Sequence, residues 1–368
     1  LMLFDPKPKS RRSDLFDREE EINELKNSVL KTPLTLLLGI RRVGKTSVLK
    51  VSLNELNAPY VYLDLRMLEE EGYSRVAFYR LLSEALTNTV SKWSNLVDYL
   101  RSIKGVGVYG VKVEFDWREK SLTLTRVLNK LNQFGEREAE KGFVVVAFDE
   151  AQILRNISGG KGKADFKSIL AYAYDNLPNL RFVLTGSEVG LLLNTLRLDV
   201  PSSPLYGRYV RVVRLERFNR EKSLEFLKRG FEEANMLVSD DVLQKVYERV
   251  DGIVGWLTYF GCLIIESHKP ITEAVDEVTE RALKLVQKEV DEVFRRSRHY
   301  MHVLKAISLG ISTWSGIKRA VEAWLGRPLQ NAQITRLLKT LVELSIVEKK
   351  NDYYVIADPL IAEYSRRL

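Results

Sequence analysis

The chain has 368 residues, 45% of them apolar, and a formal net charge of +8. That is room for roughly two or three domains with a sizeable core, and no apolar run approaches the roughly eighteen residues that a membrane helix needs. A single cysteine, Cys262, excludes an internal disulfide framework, and with only His268, His299 and His302 a histidine-rich metal centre is excluded as well.

Leu1 to Arg12 turns polar and basic within a few residues. No secretory signal is visible there, so a reducing cytoplasm is the expected compartment. Phe16 to Leu25 reads as a helix with Asp17 as N-cap and acids in its first turn, where the helix dipole favours them. Thr35 to Leu38, bounded by Pro33 and Gly39, suits a buried parallel strand. Thr46 to Leu53 follows with Val48, Leu49 and Ser52 at helical spacing. Tyr60 to Leu65 is a β-branched and aromatic strand, and Ser74 to about Leu100 is helical. Gly105 to Phe115 alternates apolar and polar residues, as a hairpin or edge strand does. A helix, Leu122 to Phe134, precedes the apolar strand Phe143 to Phe148, which ends in Asp149-Glu150. Helix Phe166 to Leu177 and strands Arg181 to Ser187 and Tyr209 to Leu215 complete an alternating α/β pattern with a parallel sheet over residues 1–216. Residues 217–294 are helical throughout, with caps at Asn219 and Ser239 and a break at Asp251-Gly252. In 295–368, three helices (Arg298 to Ser308, Thr313 to Leu325, Leu329 to Ser345) lead into a hairpin turning at Asn351-Asp352, the layout of a winged helix-turn-helix.

Gly39-Ile40-Arg41-Arg42-Val43-Gly44-Lys45-Thr46 spells the phosphate-binding pattern G-x-x-x-x-G-K-[ST], placed between a strand and a helix. The glycines let the backbone curl around a phosphate, and loop N–H groups at a helix N-terminus bond its oxygens. Lys45 carries charge to the β- and γ-phosphates, the Thr46 hydroxyl can ligate Mg²⁺, and Ser47 continues the set at the helix start. Asp149, emerging from a dry strand, is the candidate to hold the Mg²⁺ shell, and Glu150 beside it the candidate to polarise the attacking water. Thr185 and Ser187 end the next strand, so one hydroxyl either senses the γ-phosphate or merely finishes the strand. Arg208 precedes the last strand near the same rim and is either a catalytic charge for the transferring phosphoryl group or a surface arginine. His299 and His302 lie three apart, but no acidic cluster or cysteine completes a zinc site with them.

Phe16-Asp17-Arg18-Glu19-Glu20-Glu21-Ile22, the phosphate loop, Val144 to Gln152, Val183 to Ser187, Ser203 to Arg208 and Asp251 to Leu257 together resemble the archaeal ATPase family, in the STAND branch of AAA+-related P-loop NTPases. The resemblance spans almost the whole chain. It implies a five-stranded ATPase core, a helical lid, a winged helix, and ATP, ADP and Mg²⁺ as cofactors. It also implies that the Arg18 motif lies at the adenine end of the nucleotide. One departure stands out: where many STAND lids carry G-x-P, here Gly255 is followed by Trp256 and no proline.

The reading that follows is an ATP-driven switch that moves the winged helix. The alternative is an ATP-modulated DNA-binding regulator or replication-initiator-like protein; a small-molecule kinase is disfavoured by the basic winged helix. Residues 296–368 hold twelve Lys/Arg against six Asp/Glu, which hints at an anionic partner. In the third helix Ile334, Leu337, Leu338 and Leu341 form the buried stripe, leaving Gln330, Asn331, Gln333, Arg336 and Lys339 outward, with Lys349 and Lys350 on the wing. Such residues suit DNA, though packing or autoinhibitory winged helices are equally built. A homo-oligomer, with Arg208 reaching a neighbour, and an unidentified protein partner complete the expected associations.

Overall fold

The computed structural model describes residues 3–368 except 117, 120, 158–164 and 268, so His268 lies outside the described residues. Five strands form one parallel sheet in the order β2-β5-β6-β1-β7. They are β1 (Leu34–Leu38), β2 (Tyr60–Asp64), β5 (Val144–Asp149), β6 (Leu180–Gly186) and β7 (Arg211–Arg214). Leu36 and Leu38 of β1 face one helical layer while Leu37 faces the other, as the two-residue strand period demands. On the Leu37 side lie α1 (Glu19–Lys31) and α2 (Lys45–Glu55). The opposite layer holds α4 (Arg75–Val90), α6 (Leu124–Arg137) and α8 (Phe166–Asn176). Between β2 and β5 come also α3 (Met67–Glu71), α5 (Leu96–Arg101) and a separate hairpin of β3 (Val106–Tyr109) and β4 (Lys112–Phe115). Beyond β5 and β6 lie α7 (Leu154–Ile157) and α9 (Val189–Leu196).

After β7 the chain is helical: α10 (Arg220–Glu233), α11 (Asp240–Val250), α12 (Val254–Glu266) and the long α13 (Ile271–Arg296). Then α14 (His299–Ser308), α15 (Trp314–Leu325) and α16 (Asn331–Glu343) precede the hairpin β8 (Val347–Lys350) and β9 (Tyr353–Ile356), and α17 (Pro359–Arg366) follows. The anticipated stripe of α16 is buried in an apolar core shared with α10 to α13. No helix among the described residues is long and apolar enough to cross a membrane.

Three local readings need correction. Asp17 is not the cap of α1: Asp17 and Arg18 are both left-handed, with φ 53° and 90°, and Arg18 holds the cap position. That double turn sends the Arg18 side chain inward, while the Asp17 carboxylate accepts from Lys222 Nζ at 2.6 Å. The long helix expected from Ser74 is broken between α4 and α5, where Trp93 packs back on the core. Ser239 stands before α11 without a side-chain capping bond, whereas Asn219 does cap α10, accepting from Lys222 N at 2.9 Å.

The amino-terminal arm ties two halves of the molecule together. Phe4 is buried against Gly230 and Gly261, edge-on to Phe226 and Phe231 at 5.6 and 5.1 Å. Further along, Lys9 N donates to Ser47 Oγ at 3.0 Å, and Arg12 forks onto Glu55 at the end of α2 with bonds of 2.6 and 2.8 Å. The Arg12 bond, helped by Lys26, holds the Glu55 carboxyl at about 2 despite its partial burial.

Candidate active site

The sheet's carboxyl end carries the site. Leu38 lies beside Gly186, so the loop after β1 and the turn after β6 share one crevice. Gly39 admits no side chain, since a Cβ there would stand 2.6 Å from the Leu215 carbonyl oxygen. Gly44, with φ 96°, provides the left-handed step into α2 and leaves that helix without a side-chain cap. Its first N–H groups are therefore available to an anion. Lys45 is only 5% exposed and donates to the carbonyls of Gly39 and Ile40 at 2.9 and 2.8 Å. Burial lowers its ammonium to about 8, against the pull of Glu150 and Asp149.

The acid pair follows β5. Asp149 is fully buried; its Oδ2 accepts from Thr46 Oγ1 at 2.9 Å and from Tyr62 OH at 2.8 Å, and its Oδ1 from Thr185 Oγ1. Glu150 is left-handed at φ 56°, which swings its side chain off the strand line toward β6. There Oε2 accepts from Ser187 Oγ at 2.6 Å, Ser187 N at 3.2 Å and Gln152 Nε2 at 2.7 Å. Burial pushes the Glu150 carboxyl up, but the Lys45 charge and these bonds outweigh it and hold it below its usual value. So Thr185 and Ser187 both reach the acids, one on each.

A Mg²⁺ ion prefers hard oxygen donors and is held by one or two carboxylates together with phosphate and water. The Thr46 hydroxyl and Asp149 carboxylate, 2.9 Å apart, fit that pattern. Among the described residues no three His, Cys, Asp or Glu side chains converge as a metal cage, and His299 instead meets Ser297 Oγ at 2.9 Å.

A cleft of about 1220 Å³ opens over this floor, walled by the loop, the amino-terminal arm and α12. Arg18 lines it, but its guanidinium is already engaged: 2.6 Å from Glu21 Oε1, 3.2 Å from Val43 O, 2.6 Å from Glu216 O, and 4.4 Å from the Phe218 ring centre. Val43 is itself buried, and Ser47 serves the arm. Arg41 pairs with Glu188 at 3.0 Å. Arg42, left-handed at φ 68°, turns away from the floor to Glu289 of α13 and lies 4.2 Å over Trp256. Its carbonyl accepts from Gly255 N at 2.8 Å. The lid glycine that no proline follows is thus itself a contact with the loop backbone, and Trp256 Nε1 goes on to Asp358, 2.7 Å away at the start of α17.

Arg208 does not reach this crevice. β7 runs parallel to β1 with Arg211 beside Thr35 and Arg214 beside Leu38. Arg208, ahead of Arg211, therefore lies beyond the amino ends of the strands, opposite the phosphate loop. There it forks onto Asp175 of α8, at 3.1 and 2.5 Å. The missed residues include Tyr62, two before Asp64 on the same strand face, and Gln152.

A family model described as an ATPase domain predominantly from Archaea matches residues 15–260. The chain belongs to this family. It is a P-loop ATPase, and a second model, the MCM protein C-terminal winged helix-turn-helix domain, matches residues 295–357. Among solved structures it resembles the Walker-type ATPase PABY2304 of Pyrococcus abyssi, with 38% identity over 99% of this chain and 100% of that one and a TM-score of 0.84. The ORC2 protein of Aeropyrum pernix, solved in ADPNP–ADP complexes, shares the fold at 16% identity, covering 99% of this ATPase and 96% of its own chain with a TM-score of 0.60. No curated protein sequence matches.

Proposed function

We propose that this ATPase is a Mg·ATP-dependent switch in which the nucleotide at the phosphate loop sets the position of the lid and winged helix. In this reading Lys45 and the α2 N-terminus bind the β- and γ-phosphates, and Thr46 and Asp149 hold Mg²⁺. When bound, the ion neutralises charge on the phosphate oxygens. Glu150 takes the proton of the attacking water; its lowered carboxyl keeps it ionised at neutral pH, the state a base needs. Tyr62 and Thr185 fix the Asp149 carboxylate, so neither oxygen rotates freely.

The observation that carries the switch is the arrangement of Arg42. One residue of the phosphate loop meets Gly255, Trp256 and Glu289, and through Trp256 it reaches Asp358 of the winged-helix segment. Any change in loop conformation on nucleotide binding is felt there. A second route runs from Ser187, the partner of Glu150, to Val189, whose N–H donates to Ser345 Oγ at 3.0 Å. Trp256→Phe keeps the ring over Arg42 but deletes the bond to Asp358. ATP turnover should change severalfold although no group bordering the phosphates is altered. Wild-type turnover in Trp256→Phe and in Asp358→Asn alike would refute the coupling.

A second reading, ATP-modulated DNA binding, is supported by the amino-terminal half of α16, where Gln330, Asn331 and Arg336 are exposed, and by Lys349 and Lys350 at the wing. The other end of α16 is taken: Glu343 accepts from Asn194 of α9 at 2.8 Å. A duplex-binding affinity whose logarithm falls linearly with the logarithm of salt, with a slope of several units, would favour this reading.

A further inference from the structure

Hydrolysis loads charge onto the transferring phosphoryl group, and an arginine placed there is worth on the order of 10³–10⁵-fold in rate. Arg208 lies at the wrong end of the sheet for its own site. Arg18 is spent on Val43, Glu216 and Glu21, and Arg42 on Glu289 and Trp256. We infer that Arg66, at the carboxyl end of β2, is the arginine that meets the terminal phosphate within this chain.

Its position follows from the strand register. Asp64 stands beside Asp149, and Leu65 N donates to the Asp149 carbonyl at 3.1 Å, so the turn out of β2 is stitched to the acid pair. Arg66, one residue on, borders the same cleft as Lys45, Thr46 and Glu150. Asp64 aims it: Oδ1 accepts from Arg66 N at 3.2 Å and from Nε at 2.8 Å, and Oδ2 accepts from Nη2 at 2.6 Å. That fork occupies Nε and Nη2, leaving Nη1 for a further acceptor. The side chain is 54% exposed, so it can pivot about Asp64 without giving up a packed core contact. Its charge already acts on the site: it helps lower the Lys45 ammonium, and Asp149 helps raise the Arg66 guanidinium. Lysine in its place would keep charge but lose the planar fork that Asp64 orients.

The inference rests on the phosphate-site assignment above, and the test separates the two. Full-length wild type, Arg66→Ala, Arg66→Lys and Lys45→Ala are compared for steady-state ATP hydrolysis and for equilibrium binding of a fluorescent ATP analogue with Mg²⁺. Arg66→Ala should bind within about threefold of wild type yet lose on the order of 10³-fold in kcat, with Arg66→Lys recovering only part. Arg66→Gln repeats the measurement should alanine unsettle the start of α3. A kcat for Arg66→Ala and Arg66→Gln within about threefold of wild type would overturn the inference. Undiminished binding by Lys45→Ala would overturn the site assignment and the inference with it.

Discussion

Replacing Gly261 by alanine tests how the amino-terminal arm is held, and the expected sign depends on a residue far away in sequence. Gly261 is inside α12, where alanine normally gains about 1 kcal/mol of helix propensity over glycine. Here the added Cβ would stand 2.5 Å from the Phe4 ring, so the ring must leave. Phe4 is 3% exposed, and returning a buried phenylalanine to water costs about 1.5–3 kcal/mol. The net expectation for Gly261→Ala is a loss of about 0.5–2 kcal/mol. In a Phe4→Ala background the space is vacant and the same change should stabilise by about 1 kcal/mol, a coupling of about 1.5–3 kcal/mol in the double-mutant cycle. Chemical denaturation of the four proteins, with arm exposure followed by proteolysis at 5–12, reads this out. Stabilisation by Gly261→Ala in the wild-type background would refute the seating of Phe4 between the helices.

Lys45→Ala should abolish the rise in Tm on adding Mg·ATP, which at 100 times Kd corresponds to about 2.7 kcal/mol in wild type; because Lys45 also ties two loop carbonyls, the ligand-induced increment rather than the absolute Tm is the measure. Glu150→Gln should keep ATP bound while stalling hydrolysis, and Asp149→Asn should weaken the Mg²⁺ dependence of binding; wild-type hydrolysis by both variants would remove the acid pair from the chemistry. With the Lys45 ammonium lowered to about 8, ATP affinity should be full below pH 8 and fall above it by up to about tenfold per unit, a fall that Lys45→Arg flattens. Without nucleotide the sign reverses: the fold binds fewer protons there than the unfolded chain, so stability rises with pH between about 8 and the ordinary lysine value. If Arg208 serves a neighbouring subunit, activity per chain should rise with concentration, and mixing Arg208→Ala with Lys45→Ala chains should restore turnover; flat activity and no rescue would leave it as the partner of Asp175.

Much of the site was legible because its signals are local. The phosphate loop, the buried strands and the α16 stripe each declare themselves within a dozen residues by spacing or periodicity. Arg208 was misplaced because proximity in sequence to a strand says nothing about which end of the sheet that strand end occupies; only the parallel pairing of β7 with β1 settles it. Asp17 has the right chemistry for a cap, but two successive left-handed residues override it to bury Arg18. The short α17 was missed although Asp358-Pro359 is a helix-start signal, with Asp358 accepting from Leu360 N at 2.9 Å. Contacts such as Trp256 to Asp358 join residues about a hundred positions apart, and no local pattern announces them. Phe4 likewise gives no hint in sequence that two helical glycines are shaped around it.

The coupling of phosphate loop to winged helix is tested most directly by hydrogen exchange across residues 345–361, compared for the Glu150→Gln chain in Mg·ATP and the wild-type chain in Mg·ADP. Protection of the segment around Ser345 and Asp358 should differ between the two nucleotides, and the difference around Asp358 should shrink when Trp256→Phe is added, the route through Val189 to Ser345 being left in place. Identical exchange in saturating ATP and ADP, with nucleotide binding verified in the same samples, would contradict it.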